Sequence, residues 1–225
     1  MSEPAARTHT LKAMAGPGKG GRYHHGHLRA ALIDTAVELI GERGVRGFSL
    51  TEATRRLGVA VSAPYAHFAD RDDLLAAVAV RAYELLYTEL VPESGQVQPP
   101  ADRLAAMARA YVRFAAANRP LFEVLHEAGL DKARHPEIEA AERPLTDAFL
   151  TCVRALSDGG DAAAQDLATA IEATAHGHAM LLLDDGSRQQ IEAVELAAER
   201  TARATMALVA SRHLLGRPAG RPGLA

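Results

Sequence analysis

FSLTEATRRLGVAVSAPYAHFADRDDLL, residues 48–75, packs several helix-start and helix-stop signals into one short stretch. Ser49 and Glu52 have the S-x-x-E spacing of a capping box, in which hydroxyl and carboxylate satisfy amides orphaned at a helix start. A short helix therefore begins at Leu50 and ends at Leu57, where Gly58 supplies the left-handed conformation that turns the chain. Val59 can plug the angle between this helix and the next, which is expected over 61–67, with Pro64 tolerable only in its first turn or so. Asp70 and Asp73 fall at the N-cap and N3 positions of a further helix whose apolar face opens with Leu74 and Leu75. Two short helices around a glycine turn, followed by a capped third, make a helix-turn-helix, a unit whose second member can lie in the major groove of DNA.

Upstream, Leu28, Leu32, Ala36, Leu39 and Ile40 recur at helical spacing, predicting a helix over 27–43 that Gly44 stops. Residues 1–21 are rich in Gly, Ala, Pro and Lys without apolar period and read as a disordered arm. Downstream, the helix that starts near 72 should run to about 90, because the position before Pro92 disfavours continuation. The linker ESGQVQPP follows, then helices near 100–117, 120–130, 136–157, 161–183 and 189–215, separated by Asn118, by 129–135, by Asp158-Gly159-Gly160 and by Asp184-Asp185-Gly186. Residues 216–225 read as a disordered tail. The expected fold is all-α: a three-helix DNA-binding domain over 22–75, then a helical regulatory and dimerisation domain over 91–215.

Composition agrees. Aromatics are 4% of the chain, Trp is absent, and no strictly alternating β-branched run occurs. No apolar run reaches 18 residues and the N-terminus lacks the apolar core of a signal peptide, so no membrane partner is expected. Cys152 is alone, which fits a reducing cytoplasm. The net charge of −3 divides unevenly: residues 1–68 carry nine Lys and Arg against five acids, leaving an acidic remainder of −7. The phosphate-attracting charge thus sits with the motif, and non-specific affinity should be modest.

Residues 23–75 resemble the DNA-binding domain of the TetR family of bacterial transcriptional regulators. The likeness lies in the order of parts: a helix ending E-R-G, then F-S-L-T-E, R-R-L-G-V, P-Y-A-H-F and A-D-R-D-D-L-L, preceded by Y-H-H-G. Ala60, His27 and Ala53 depart from the family pattern, the first two at helix starts, where the cost is roughly 1 kcal/mol each at most. The resemblance implies that Tyr65 and His67 hold phosphates, that Thr51 and Arg71 anchor the backbone, and that Val61, Ser62 and Ala63 face base edges. Arg22, at the end of the arm, would enter the minor groove.

Leu104, Met107, Ala108, Tyr111, Phe114 and Ala115 share one stripe, and Leu121, Phe122, Leu125 and His126 follow on the next helix. They could simply fill the core. The resemblance implies instead a small-molecule pocket, with Met107, Tyr111, Phe114, Phe122 and His126 lining it and a mostly apolar effector. The last two helices carry Leu167, Ile171, Ala175, Leu181 and Leu182, then Ile191, Val194, Ala198, Ala202 and Val209. They could form a monomer's own core; the resemblance implies a four-helix homodimer seam.

His24, His25 and His27 flank a Gly beside Tyr23 and Arg22, a setting suited to a nucleic-acid arm more than to a metal. His176 and His178 point about 200° apart on a helix and cannot chelate one ion together. His176-Gly177 resembles the His-Gly of a C-terminal domain in some TetR-family regulators, where a Trp usually precedes it. No cofactor or metal is expected. The function expected is that of a ligand-relieved repressor on a double-stranded DNA operator; the alternative is an all-helical enzyme using His176, Asp184 and Asp185 as a metal or acid-base cluster.

Overall fold

The computed structural model describes residues 25–91, 98–157, 160–184 and 190–214. Arg22, Asp185, the arm over 1–21, most of the linker and the tail lie outside the described residues. Helix α1 (His25–Gly47) buries Leu32, Ala36, Leu39 and Ile40 along one stripe. Gly44 leaves helical geometry at φ 71°, so the expected stop is a break, after which a last turn tucks Val45 into the core.

Helix α2 (Leu50–Leu57) starts where the capping signal placed it: the Ser49 hydroxyl accepts the Glu52 amide at 3.2 Å. The Glu52 carboxylate instead receives Arg55, at 2.7 and 3.0 Å, and Arg43 at 3.2 Å. Gly58 adopts φ 64°, its amide reaching the Arg55 carbonyl while Val59 reaches that of Thr54, the paired bonds of a Schellman stop.

The expected helix over 61–67 is replaced by a 3-10 turn, Ala63–Ala66. Pro64 has no N–H to donate, the Ser62 side chain makes no cap, and the bonds close over three residues, as from Ala63 to Ala60 and from Tyr65 to Ser62. Helix α3 (Arg71–Leu90) then begins under Asp70, whose carboxylate accepts the Asp72 and Asp73 amides at 2.9 and 3.0 Å.

The remainder is α4 (Pro100–Ala117), α5 (Arg119–Glu127), α6 (Pro136–Leu156), α7 (Gly160–Asp184) and α8 (Ile191–Ala210), closed by a 3-10 turn, Arg212–Leu214. Helix α5 ends short of the expected 130, and Gly129 follows with φ 62°. One apolar core is continuous from Leu32 and Phe48 through Leu74 and Val78 of α3 to Phe114, Phe122 and Ile138, so reading head and C-terminal half are packed as one unit. Gly41 of α1 sits where an added Cβ would lie 3.2 Å from Pro120 of α5, a close approach at that joint.

Helix α8 packs on α4 and α7 of its own chain. Ala198 is fully buried against Val112 and Leu182, and Ala202 and Val209 are also buried, so this part of the stripe expected at a dimer seam is interior to the protomer, whereas its Leu181 and Ile191 are exposed. The pair Arg109–Glu199, at 2.5 Å, and the pair Arg113–Glu195, at 2.9 Å, fasten α4 to α8 along the rim. Among the described residues, the large apolar side chains exposed on this part of the protomer are Leu181 of α7 and Ile191, Leu196 and Met206 of α8, with Leu214 beyond.

Candidate functional site

The reading head is built on buried anchors. Pro64 and Phe68 face the core, with Val59 and Ala63 half-buried beside them. Val61 is 66% exposed, Tyr65 56%, and Ser62 and Thr51 are exposed as well, so four of the expected DNA-contacting residues stand outward. Ala63 and His67 are half-buried. Arg71 is tied inward: its guanidinium donates to the carbonyls of Val45 at 2.7 Å and Phe48 at 3.2 Å, pairs with Asp72 at 3.1 Å, and lies over the Phe48 ring. It locks the turn between α1 and α2 against α3, which leaves few of its donors for phosphate.

Behind this head lies a cavity of about 410 Å³, within the range of small-molecule sites. Helix α3 contributes Tyr83, Leu86 and Leu90, and α4 contributes Leu104, Met107, Ala108 and Tyr111. Helices α5, α6 and α7 close it with His126, Phe149 and Ile171 among others. Of the five residues expected to line a pocket, Met107, Tyr111 and His126 do so. Phe114 is fully buried in the core, and Phe122 lies just behind the wall.

Phe122 organises a polar group that the sequence did not suggest. Its ring stacks on His176, is tilted against His126 with centroids 4.5 Å apart, and meets Tyr111 edge-on. The Tyr111 hydroxyl lies 3.0 Å from His126 Nε2 and 3.2 Å from His176 Nδ1. With one proton it can donate to one ring nitrogen and accept an N–H from the other. Burial, then the neighbouring His176, pushes His126 down to about 4. Burial also raises the Tyr111 and Tyr83 hydroxyls, the latter further through Glu142.

Two carboxylates complete the wall. Glu142 of α6 pairs with Lys132, whereas burial and then the charge of Glu142 raise the Glu172 carboxyl above its ordinary range. His176 therefore belongs to the cavity. It stands eight residues before Asp184 on one helix, about 12 Å along the axis, and His178 bonds the Thr174 carbonyl, so no His176–Asp184 cluster forms.

The loop between α5 and α6 joins cavity to head. Lys132 reaches Glu142, and two residues on Arg134 pairs with Asp70 and, at 3.7 Å, with Asp73. The Arg134 hydrogen bond, with the Asp73 amide next, holds the Asp70 carboxyl below the usual range. Buried His135 lies 3.7 Å from the Asp73 carboxylate.

An exposed helix-turn-helix head packed onto an all-helical domain with a partly open cavity between its helices defines a DNA-binding transcriptional regulator. Residues 32–78 match the model of bacterial regulatory proteins of the tetR family, and 104–211 match a tetracyclin repressor-like C-terminal domain. The chain belongs to the TetR family. A protein of unknown function from Rhodococcus sp. RHA1 is 32% identical over 82% of this chain and 98% of its own, with a TM-score of 0.61. The TetR family regulator PfmR from Thermus thermophilus is 18% identical over 79% and 96%, TM-score 0.57. AibR, solved with isovaleryl coenzyme A and operator DNA, is 18% identical over 77% and 95%, TM-score 0.58. No curated protein matches the chain. No described helix is long and apolar enough to cross a membrane.

Proposed function

We propose that the protein is a homodimeric repressor, acting in the cytoplasm, whose hold on a palindromic operator is released when a small molecule fills the cavity. The observation that carries this reading is the course of α3: Tyr83, Leu86 and Leu90 line the cavity, and the same helix begins at Asp70, directly after the recognition turn. A molecule in the cavity presses on a rod that holds the reading head. Release requires that it bind the DNA-incompetent arrangement more tightly than the DNA-competent one. AibR, whose structure holds both a small molecule and operator DNA, supports a two-site regulator of this design.

The dimer is assigned to the outer faces of α7 and α8, where Leu181, Ile191, Leu196 and Met206 are exposed. Above Gly177 an added Cβ would meet nothing within 4 Å, which leaves room for a neighbouring helix. Tyr65 and His67 are assigned to phosphates, Thr51 to the backbone, and Val61, Ser62 and Ala63 to base edges, with Arg22 in the minor groove. A gel shift with the DNA upstream of the chain's own gene tests the regulator. A discrete complex at low protein concentration, lost on competition with the same fragment but not with unrelated DNA, is expected; equal competition by both would overturn the reading.

A further inference from the structure

We infer that the cavity takes a lipophilic cation, an amine or quaternary ammonium on an apolar body, with the Glu172 carboxylate as its counter-ion and Glu142 beside it. This inference rests on the reading of the cavity as the effector site. The walls are chiefly aliphatic, from Leu86 and Leu104 round to Ile171, so the body of the ligand must be apolar. Among the described residues no Lys or Arg lines the cavity, while two carboxylates do.

The two acids are not equivalent. Glu142 already has Lys132, but Glu172 has no hydrogen-bond or ion-pair partner among the described residues. An anionic ligand would lie against the uncompensated Glu172 carboxylate, and a neutral one would cover that solvent-exposed group without pairing it. A cation removes both penalties at once. Tyr83 of α3, Tyr111 of α4 and Phe149 of α6 also line the cavity, and aromatic rings attract positive charge. Burial, then the Glu142 charge, raises the Glu172 carboxyl, and a cation placed between the two acids offsets that Glu142 charge; His126, neutral down to about pH 4, contributes no competing charge near neutrality.

A matched series tests charge at constant shape: 6-phenylhexylammonium, 6-phenylhexanol and 6-phenylhexanoate, titrated calorimetrically into the full chain near pH 7.5. The ammonium should bind at least tenfold more tightly than the alcohol, and the carboxylate most weakly. Glu172→Gln, nearly isosteric, should reduce ammonium affinity about tenfold while leaving the alcohol within twofold, with an unchanged circular dichroism melt. Ala108→Trp, which fills the cavity, should abolish binding of the ammonium; binding that survives it lies elsewhere and overturns the inference. Tightest binding by the alcohol or carboxylate, with release of operator, would sink the cation while keeping the effector site. Binding by none of the three would overturn both.

Discussion

Tyr65 projects from a four-residue 3-10 turn, so its ring and hydroxyl stand clear of the head while Pro64 and Phe68 hold the turn from below. A phosphate bond from that hydroxyl is worth ~1 kcal/mol. Tyr65→Phe should therefore weaken binding about fivefold on operator and unrelated DNA alike, measured by filter binding; altered preference at unchanged affinity would reassign the residue. Ser62→Arg should instead change which sequence is preferred, because it puts a bidentate donor where small neutral side chains now stand. His126 gives a pH test. Its folded pKa, near 4, lies below the free value, so the unfolded chain binds the extra proton first: stability from this group is full above about pH 6.5 and falls as pH drops towards 4. Its ring resonances should titrate near 4 by NMR; a midpoint near 6.5 would show the ring solvated. Ser49, Gly58 and Asp70 were legible in sequence because a cap acts on backbone two or three residues away. Arg71 was not: its carbonyl partners stand 23 and 26 residues upstream, and only the tertiary fold brings them beneath it.

Helix periods survive the passage from sequence to structure where one face is buried, and fail where a short segment depends on a single backbone donor. Helices α4, α6 and α7 fall within a residue of expectation, but the recognition segment contracts because Pro64 lacks the N–H and Ala60 cannot cap. The acidic wall was illegible for another reason: Glu142 and Glu172 belong to different helices, and each reads alone as a solvated charge. The α5–α6 loop, expected in sequence only as the break over 129–135, ties Glu142 to Asp70 through Lys132 and Arg134. Being solvent-accessible, these pairs contribute little to stability, yet they join the cavity to the N-cap of α3. Arg134→Ala should leave the melting temperature and ligand affinity nearly unchanged while reducing the ligand-induced loss of operator affinity at least threefold. Unchanged release would place the whole signal in the packing of α3.

For the whole molecule, small residues at helical spacing cannot distinguish a seam within a chain from one between chains, which is why Ala198 and Ala202 read as dimer contacts yet lie inside the protomer. The two arrangements give opposite outcomes for one substitution. Ala198→Arg buries an unpaired charge against Val112 and Leu182 and should cost roughly 3 kcal/mol or more, lowering helicity and melting temperature before it affects assembly. Leu181 is 70% exposed, and Leu196 is exposed on the adjoining helix, so Leu181→Arg with Leu196→Arg leaves the protomer core untouched. In a homodimer built on that face the charges would repel across the two-fold axis. The two recognition turns must meet successive major grooves about 34 to 36 Å apart, so a monomer should keep only the weak, salt-sensitive affinity of one head. Light scattering should give a dimer for the parent and a monomer of unchanged circular dichroism for the double variant, with operator binding lost. A double variant that remained dimeric and bound operator as tightly as the parent would move the interface off α7 and α8.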